Sequence, residues 1–382
     1  MFKLSDDKLS VLGALITTRE IEQQPELWAE TLQIYQREEN EINAFLKQLV
    51  DKHSYLRVIF TGGGTSQYVG DVVYRSLVKL GDKKHFRFDS IGSTDIVSSP
   101  ETTLEKEAPT LLVSFARSGN SPESLAAVDL VSDYVDDVYH IIMTCAKDGE
   151  LAKQTNNRED ALVLLLPEKS NDKGFAMTGS CTSMILLATL VFSTQSATEK
   201  EAQVKGIIAA GKDIISREEE VANYLPKDVK RVVYVGSGPA AALAREAQLK
   251  ILELTAGQIA TIFDSSMGLR HGPKSFINFK TAAYVFVAND SYTKEYDLDI
   301  YRELKADDIA ETVVMIGQNV SEGFSFSSDE ILDEAFLVFP FLVFAQIISL
   351  NASINVGNTP DTPSATGTVN RVVKGVSIHP YH

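Results

Sequence analysis

Two glycine-rich turns, about 175 residues apart, are the feature that most constrains the fold of this chain. The first turn, residues 62–66, reads Gly-Gly-Gly-Thr-Ser, and the second, residues 236–239, reads Gly-Ser-Gly-Pro. Each turn follows a β-branched apolar run and precedes a helical pattern, so the recurrence indicates two copies of one α/β module. Such turns direct main-chain N–H groups and a helix start toward one point, which favours an anionic ligand.

Strands and helices alternate along both halves of the chain. The strand candidates are nearly continuous apolar runs, which is typical of a parallel sheet covered on both faces. Ligands of such sheets bind beyond the carboxyl ends of the strands, where the glycine turns and the loop 116–124 also fall. Helices are predicted after Ser66, Ser121 and Gly179. Strands are predicted at 58–60, 110–114, 140–144, 162–166, 232–235, 259–263, 282–287, 312–316 and 336–338.

The 382 residues are ample for two domains. Apolar residues at helical spacing between Thr18 and Val50 predict an N-terminal helical arm over 1–50. The two modules are predicted over 51–200 and 216–357. The tail, 358–382, is rich in Pro, Thr and Gly, and we expect it to wrap over the surface.

The composition excludes several classes of protein. A formal net charge of −16 argues against nucleic acid and anionic membranes as partners. The two cysteines, Cys145 and Cys181, have no metal-ligand spacing around them, which favours a reduced cytoplasmic protein without a metal. The N-terminus is too polar for a signal peptide. The most apolar stretch, 335–350, is shorter than a membrane span and predicts a buried strand leading into a buried helix.

The first candidate site joins residues 62–66 to the loop 116–124. Both lie on strand-to-helix turns and offer hydroxyl groups together with helix-start N–H groups, the donors that a phosphate monoester needs. The alternative is that these serines only cap helices. Because two such turns follow neighbouring strands of one module, the phosphate site is the favoured interpretation.

The second candidate site is a stripe of charge on one helix. Glu246, Lys250 and Glu253 share one helical face at positions i, i+4 and i+7. A solvated Glu–Lys pair would give the same spacing. The rest of the helix 240–254 is largely apolar, however, so the stripe is predicted to line a cleft, where a carboxylate can act as a general base.

A histidine, His271, lies in a Gly/Pro loop, and two interpretations of it stay open. It is either a surface residue or a catalytic one. The second glycine turn also matches the dinucleotide fingerprint G-x-G-x-x-A, but a proline begins its helix and no acidic residue closes the next strand at the usual spacing.

Together these motifs resemble the sugar isomerase (SIS) family in its double-module form, and the isomerase half of glucosamine-6-phosphate synthase. The Gly-Thr-Ser turn, the Ser-Gly-Asn-Ser turn, the Glu…Lys…Glu helix and the His-Gly-Pro loop occur in the family's order over residues 50–380. The segments 174–180 and 267–275 are most similar to the AgaS group, galactosamine-6-phosphate deaminases or tagatose-6-phosphate ketose/aldose isomerases. The resemblance implies two tandem SIS modules, each a parallel sheet between helices, with the tail over the site.

The resemblance also implies roles for individual residues. Glu253 matches the carboxylate that moves a proton between C1 and C2, and Lys250 sets the charge state of the two glutamates. His271 matches the histidine that assists ring opening, which comes from the neighbouring subunit in the synthase. Lys374 matches a C-terminal lysine near the sugar carbonyl. The residues expected to bind the substrate are Gly64, Thr65, Ser66, Arg117, Ser118, Asn120, Ser121, Thr178 and Glu246.

The chain departs from the synthase in two respects. It has Ala-Arg-Ser at 116–118 where the synthase has Ser-Gln-Ser, so Arg117 either adds a contact to the phosphate or has another role. It also has no glutaminase domain, which favours release of ammonia over its addition. The expected activity is the deaminating isomerisation of galactosamine 6-phosphate, without a cofactor, in a homodimer or a higher even oligomer. The alternatives are simple aldose–ketose isomerisation, a non-catalytic sugar-phosphate sensor and a nicotinamide dehydrogenase.

Overall fold

The computed structural model describes residues 1–156, 158–373 and 375–381 and divides the chain into two compact units. The first module comprises Glu30–Asp172, Gly179–Ser196 and Val369–His382. The second module comprises Met1–Ala29, Lys173–Thr178 and Ala197–Thr368. The predicted helical arm and the predicted tail are therefore each divided between the two modules.

Each module contains one five-stranded sheet in which every pairing is parallel, as predicted from the continuous apolar runs. The first sheet has the spatial order β2-β1-β3-β4-β5 and the second has the order β10-β9-β8-β6-β7. The strands are β1 Leu56–Thr61, β2 Phe86–Ser90, β3 Thr110–Ala116, β4 Val138–Thr144, β5 Ala161–Leu165, β6 Arg231–Gly236, β7 Ala260–Ser265, β8 Thr281–Phe286, β9 Thr312–Gln318 and β10 Phe324–Phe326.

Helices cover the sheets, with short 3₁₀ turns at Glu168–Ser170, Gly268–His271 and Pro273–Phe276. The helix starts predicted after Ser66, Ser121 and Gly179 are found within two residues of those positions. The α-helices are α1 Asp6–Val11, α2 Leu15–Glu22, α3 Gln24–His53, α4 Thr65–Leu80, α5 Ser93–Ser98, α6 Pro100–Thr103, α7 Pro122–Tyr134, α8 Glu150–Thr155, α9 Gly179–Phe192, α10 Ala197–Ser216, α11 Glu218–Asn223, α12 Pro239–Leu254, α13 Ser291–Asp307 and α14 Glu334–Asn355.

The two sheets place their glycine turns in the same way. Both follow the pattern in which the first strand lies between the second and the third, so the chain leaves neighbouring strands toward opposite faces. In the first sheet this switch point lies between β1 and β3, where Thr61 pairs with Ser114. In the second sheet it lies between β6 and β8. Ligands of open parallel sheets bind at this crevice.

The strand predicted at 336–338 is wrong. These residues lie inside α14, which is a single helix from Glu334 to Asn355. Its sequence is apolar on all sides, and periodicity cannot distinguish such a run from a fully buried strand. The helix is long and apolar enough to cross a membrane by length and composition, but 94% of its most apolar window is buried inside the protein. It packs against α12 and α10 as the central helix of the second module.

A buried histidine gives the first module an acid-labile point. His140, on β4, is fully buried, and burial lowers the pKa of its imidazole to about 4, with the nearby Arg158 charge adding to the shift. The folded module therefore binds fewer protons than the unfolded chain between pH 6.5 and 4. The free energy of unfolding is therefore highest above pH 6.5. It falls by about 3 kcal/mol as the pH drops to 4, because protonation of the imidazole favours the unfolded chain.

We expect His140→Gln to flatten this pH dependence. Glutamine keeps a hydrogen-bonding group near Ser132 Oγ, which lies 3.2 Å from Nε2 of the histidine, but it does not titrate. The measurement is the free energy of unfolding in urea at several pH values between 4 and 7. The exposed His379→Gln serves as the control and should leave the slope unchanged. If the free energy of unfolding of His140→Gln still fell with decreasing pH as steeply as that of the wild type, the pH dependence would not be due to His140.

Candidate functional site

The first glycine turn joins β1 to α4 in a conformation that depends on glycine. Gly64 precedes the helix with φ 58° and ψ −128°, a region that side chains disfavour. A Cβ on Gly62 would lie 2.5 Å from Ser66 Cβ, so glycine is needed for the helix to start this close to the strand. Thr65 and Ser66, both largely buried, occupy the first turn of α4. No side-chain cap is formed at this helix start.

The turn that joins β3 to α7, residues 117–121, is held by hydrogen bonds among its own polar groups and to the start of α8. Ser121 precedes α7, but its hydroxyl does not cap the helix and lies 2.7 Å from Ser124 Oγ. Asn120 Oδ1 accepts from Glu150 N at 3.0 Å, which fixes the turn to the start of α8. Ser118 Oγ lies 3.4 Å from Asn120 N. The helix-capping interpretation therefore fails here, because the serine at the cap position bonds to another hydroxyl.

The same place in the second module is occupied by a carboxylate of the protein. Asp297, on α13, accepts from Ser237 Oγ at 2.6 Å and from Ser266 Oγ at 2.5 Å. Its other oxygen accepts from Ala288 N at 3.0 Å, in the turn after β8. Asp297 is fully buried, and burial raises the pKa of its carboxyl, although the serine and main-chain donors oppose the shift. The switch point of the second sheet thus binds an internal anion.

The two switch points differ in the residues that begin their helices. Gly64 and Gly238 have almost the same dihedral angles, since Gly238 has φ 57° and ψ −127°. Thr65 and Ser66 follow the first glycine, whereas Pro239 and Ala240 follow the second and offer no hydroxyl. A pyrophosphate at the second turn would meet the Asp297 carboxylate, so the dinucleotide interpretation loses its physical support. Only the first glycine turn is followed directly by hydroxyl residues at the start of its helix, whereas the hydroxyls of Ser237 and Ser266 at the second switch point are bonded to Asp297.

The predicted charged stripe on α12 is present, and it is buried rather than solvated. Lys250 Nζ lies 3.2 Å from Glu246 Oε1 and 2.6 Å from Glu253 Oε2. The side chains of Glu246 and Lys250 are each 1% exposed, and that of Glu253 is 24% exposed. Glu253 is therefore the carboxylate of this triad that a solute can reach. A buried lysine between two carboxylates holds both of them in place.

His271 lies at the end of the 3₁₀ turn Gly268–His271 and is exposed. The loop around it is fixed to α13, because Arg270 Nε donates to Glu303 Oε2 at 2.6 Å and Lys274 binds the other oxygen of Glu303. Leu269, fully buried, holds the loop from within. The arrangement presents the imidazole on a rigid support, which fits a catalytic or a subunit-contacting histidine.

The predicted site residues fall into two groups, each described within its own module. The turns carrying Gly64–Ser66 and Arg117–Ser121 follow the adjacent strands β1 and β3 of the first module. The charged stripe, His271 and the buried Thr178 belong to the second module. Lys374 lies outside the described residues. No cluster of His, Cys, Asp or Glu that could hold a metal occurs in the described ranges 1–156, 158–373 and 375–381.

Sequence reasoning missed two residues that shape the first module's site. Asp172 is fully buried and accepts from Gly179 N at 3.0 Å and Ser180 N at 2.9 Å, which caps α9. Arg371 donates its Nε to the carbonyl of Asp172 at 2.8 Å. Asp172 could have been found as an acidic residue shortly before a helix start, whereas nothing in the tail sequence marks Arg371.

The chain matches no family model. The D-galactosamine-6-phosphate deaminase AgaS of Shewanella sp. (strain ANA-3) is 40% identical to it over 379 residues, which are 99% of this chain and 95% of the relative. The chain belongs to the AgaS family.

Solved structures agree with this placement. The tagatose-6-phosphate ketose/aldose isomerase of Escherichia coli is 37% identical, with a TM-score of 0.85 and 96% of each chain covered. The C-terminal domain of glucosamine-fructose-6-phosphate aminotransferase from Francisella tularensis has a TM-score of 0.72 over 91% of this chain and 98% of its own. At 18% identity that likeness concerns the fold alone, and it agrees with the two parallel α/β sheets of this AgaS-family chain.

Proposed function

We propose that this AgaS-family chain is an enzyme that converts galactosamine 6-phosphate and water into tagatose 6-phosphate and ammonia. The observation that carries the proposal is the 40% identity, over nearly the whole chain, to a relative named D-galactosamine-6-phosphate deaminase. The hydroxyl-lined switch point of the first module and the buried triad of the second supply the two kinds of group that this chemistry requires. No step of it requires a redox cofactor.

The phosphate of the substrate is assigned to the first module. Hydroxyl groups lie on its two strand-to-helix turns, at Thr65, Ser66, Ser118 and Ser121. The helix N-termini at these turns favour an anion. The corresponding place in the second module already binds a carboxylate, Asp297, through serine hydroxyls and a main-chain N–H. The binding of the Asp297 carboxylate by hydroxyl and main-chain N–H donors supports the proposal that the same types of donor bind a phosphate at the first switch point. Gly64 and Asn120 shape these turns.

The proton transfer is assigned to Glu253. In the open-chain aldehyde, Glu253 takes the proton from C2, and the electron pair of that bond forms a C1–C2 double bond. The π pair of the C1 carbonyl moves to O1, which takes a proton from the substrate ammonium, so that an enolamine forms. Return of the proton to C1 leaves a ketimine at C2. Water adds to C2 and the C2–N bond breaks, so that ammonia leaves and the ketose forms. The base, Glu253, is held in place by Lys250 and Glu246. His271 assists ring opening. Two further residues, Lys374 and Thr178, act near the sugar.

The decisive experiment measures ammonia released from galactosamine 6-phosphate by the purified protein, with glucosamine 6-phosphate alongside. We expect release from the galacto compound at a rate that is proportional to enzyme concentration and unaffected by a chelator. Absence of ammonia from both amines would overturn the deaminase assignment. The ratio of the two rates also measures how strongly the enzyme distinguishes the two C4 epimers. That discrimination depends on few contacts in the pocket.

Aldose–ketose isomerisation is the second candidate. It is favoured by the 37% identity to a solved structure named tagatose-6-phosphate ketose/aldose isomerase. The same base would move the same proton, but no C–N bond would break. Conversion of tagatose 6-phosphate without ammonia release from either amine would select this activity. A protein that binds these sugar phosphates and converts none of them would be a sensor.

We also propose that the chain forms a homodimer in the cytoplasm. The edge strand β7 is six residues long and half exposed, and an uncovered edge of this length favours pairing with another chain. Phe263 on this strand and Met267 after it are exposed apolar residues, and the strand contacts the 3₁₀ turn that ends at His271. Both cysteines are free and buried, which fits a reducing compartment. Sedimentation at micromolar concentration tests the dimer, and a monomer would rule out a shared His271.

A further inference from the structure

Arg117, which the sequence offered as a contact to the phosphate, is engaged with the C-terminal tail. It follows β3 directly, and the residue is only 7% exposed. Its Nη2 donates to the main-chain carbonyl of Arg371 at 2.7 Å. The two residues are 254 positions apart in the sequence, and both belong to the first module. A buried guanidinium is a rigid multiple donor, suited to holding main-chain carbonyls in a fixed position.

Arg371 is held by its side chain as well as by its carbonyl. Its Nε donates to the carbonyl of Asp172 at 2.8 Å, and its Nη2 donates to Asn171 Oδ1 at 2.9 Å. The carboxylate of Asp172 in turn caps the start of α9, a helix that is buried along its whole length. The tail is therefore joined at one residue to two rigid parts of the module, the end of β3 and the start of α9.

These contacts link the tail to the proposed phosphate turn. Arg117 immediately precedes Ser118, and Arg371 lies three residues before Lys374. We propose that Arg117 is a positioning residue that holds the tail through Arg371, so that the tail residues 369–373 stay ordered beside the Ser118 turn. The catalytic consequence rests on the proposed function, whereas the anchoring of the tail does not.

Trypsin tests the anchoring without any assay of activity. The reporter is cleavage after Lys374, which removes residues 375–382 and is read by intact mass. We expect Arg117→Met and Arg371→Met each to accelerate this cleavage about tenfold or more, because each loses hydrogen bonds from a charged donor. The double variant should be no faster than the faster single variant, since both substitutions break one arrangement. Arg75→Met, at an exposed position on α4, is the matched control and should cleave like the wild type.

Kinetics and phosphate binding separate a positioning role from a phosphate contact. For Arg117→Met we expect kcat to fall while the Kd for inorganic phosphate changes by less than about threefold. Arg117→Lys keeps a donor at the position and should recover part of the loss; it replaces the methionine variant if that unfolds. Additive effects of the two arginine substitutions, or a large rise in the phosphate Kd with unchanged cleavage after Lys374, would overturn the proposal. An inactive wild type would remove the proposed function and leave the cleavage result standing.

Discussion

Glutamine in place of Glu253 is expected to lower kcat for ammonia release by about 10²–10⁴-fold, with little change in KM. The amide keeps the size and hydrogen-bonding capacity of the side chain, but it cannot accept the C2 proton. Glu253 is the member of the buried triad with an accessible side chain, at 24% exposed against 1% for Glu246. Steady-state kinetics with galactosamine 6-phosphate measures the effect, and phosphate affinity should be retained because the phosphate is assigned to the other module.

Two control variants sharpen this result. Glu246→Gln alters the other carboxylate bound to Lys250, and we expect a smaller loss of kcat, since its side chain is shielded from solutes. Glu295→Gln, at an exposed position on α13, should leave turnover unchanged. If Glu253→Gln kept near wild-type turnover while Glu246→Gln abolished it, the base would be Glu246 and the assignment made from exposure would be wrong.

Methionine in place of Lys250 is expected to lower the free energy of unfolding by about 3–5 kcal/mol. Lys250 is fully buried and bonds to two carboxylates of its own helix. Methionine fills a similar volume but removes the ammonium group that lies 3.2 Å from the buried Glu246 carboxylate, and breaking a buried ion pair by removing one member is strongly destabilising. Urea unfolding, followed by circular dichroism, measures the change.

The same spacing elsewhere in the chain provides the matched control. Lys47 and Asp51 on α3 also form an i, i+4 ion pair, but their side chains are 72% and 62% exposed. Lys47→Met should change the free energy of unfolding by less than about 0.5 kcal/mol, because water screens an exposed pair. The double variant Glu246→Gln, Lys250→Met should recover much of the loss. A destabilisation by Lys250→Met that the second substitution does not relieve would show that the damage lies in packing.

The parallel sheets were predictable because both of their faces are covered. Strands such as β3 and β8 are buried along their whole length, so their sequences are continuous apolar runs. The edge strands β2 and β10 were missed for the opposite reason. β2 reads Phe-Arg-Phe-Asp-Ser and is half exposed, and β10 has only three residues. Neither offers the length or the apolar continuity on which the prediction depended.

The candidate site was predictable to the extent that its signals are local. A glycine turn after a strand specifies a backbone path, and Gly64 has the positive φ that this path requires. The spacing of Glu246, Lys250 and Glu253 specifies one helical face. Whether that face is solvated or buried depends on the elements that pack against α12, among them α14 from a distant part of the sequence. Spacing alone could not decide it.

The amino-acid sequence by itself determined the family, the tandem α/β architecture and the types of residue available for chemistry, because these follow from patterns within short segments. The tertiary structure decided what each residue touches. Asp297 fills the second switch point, Lys250 is buried between its glutamates, and Arg117 binds the tail instead of standing free beside Ser118. The reason is physical: burial and hydrogen-bond partners depend on contacts between residues far apart in the chain, and no local pattern specifies them.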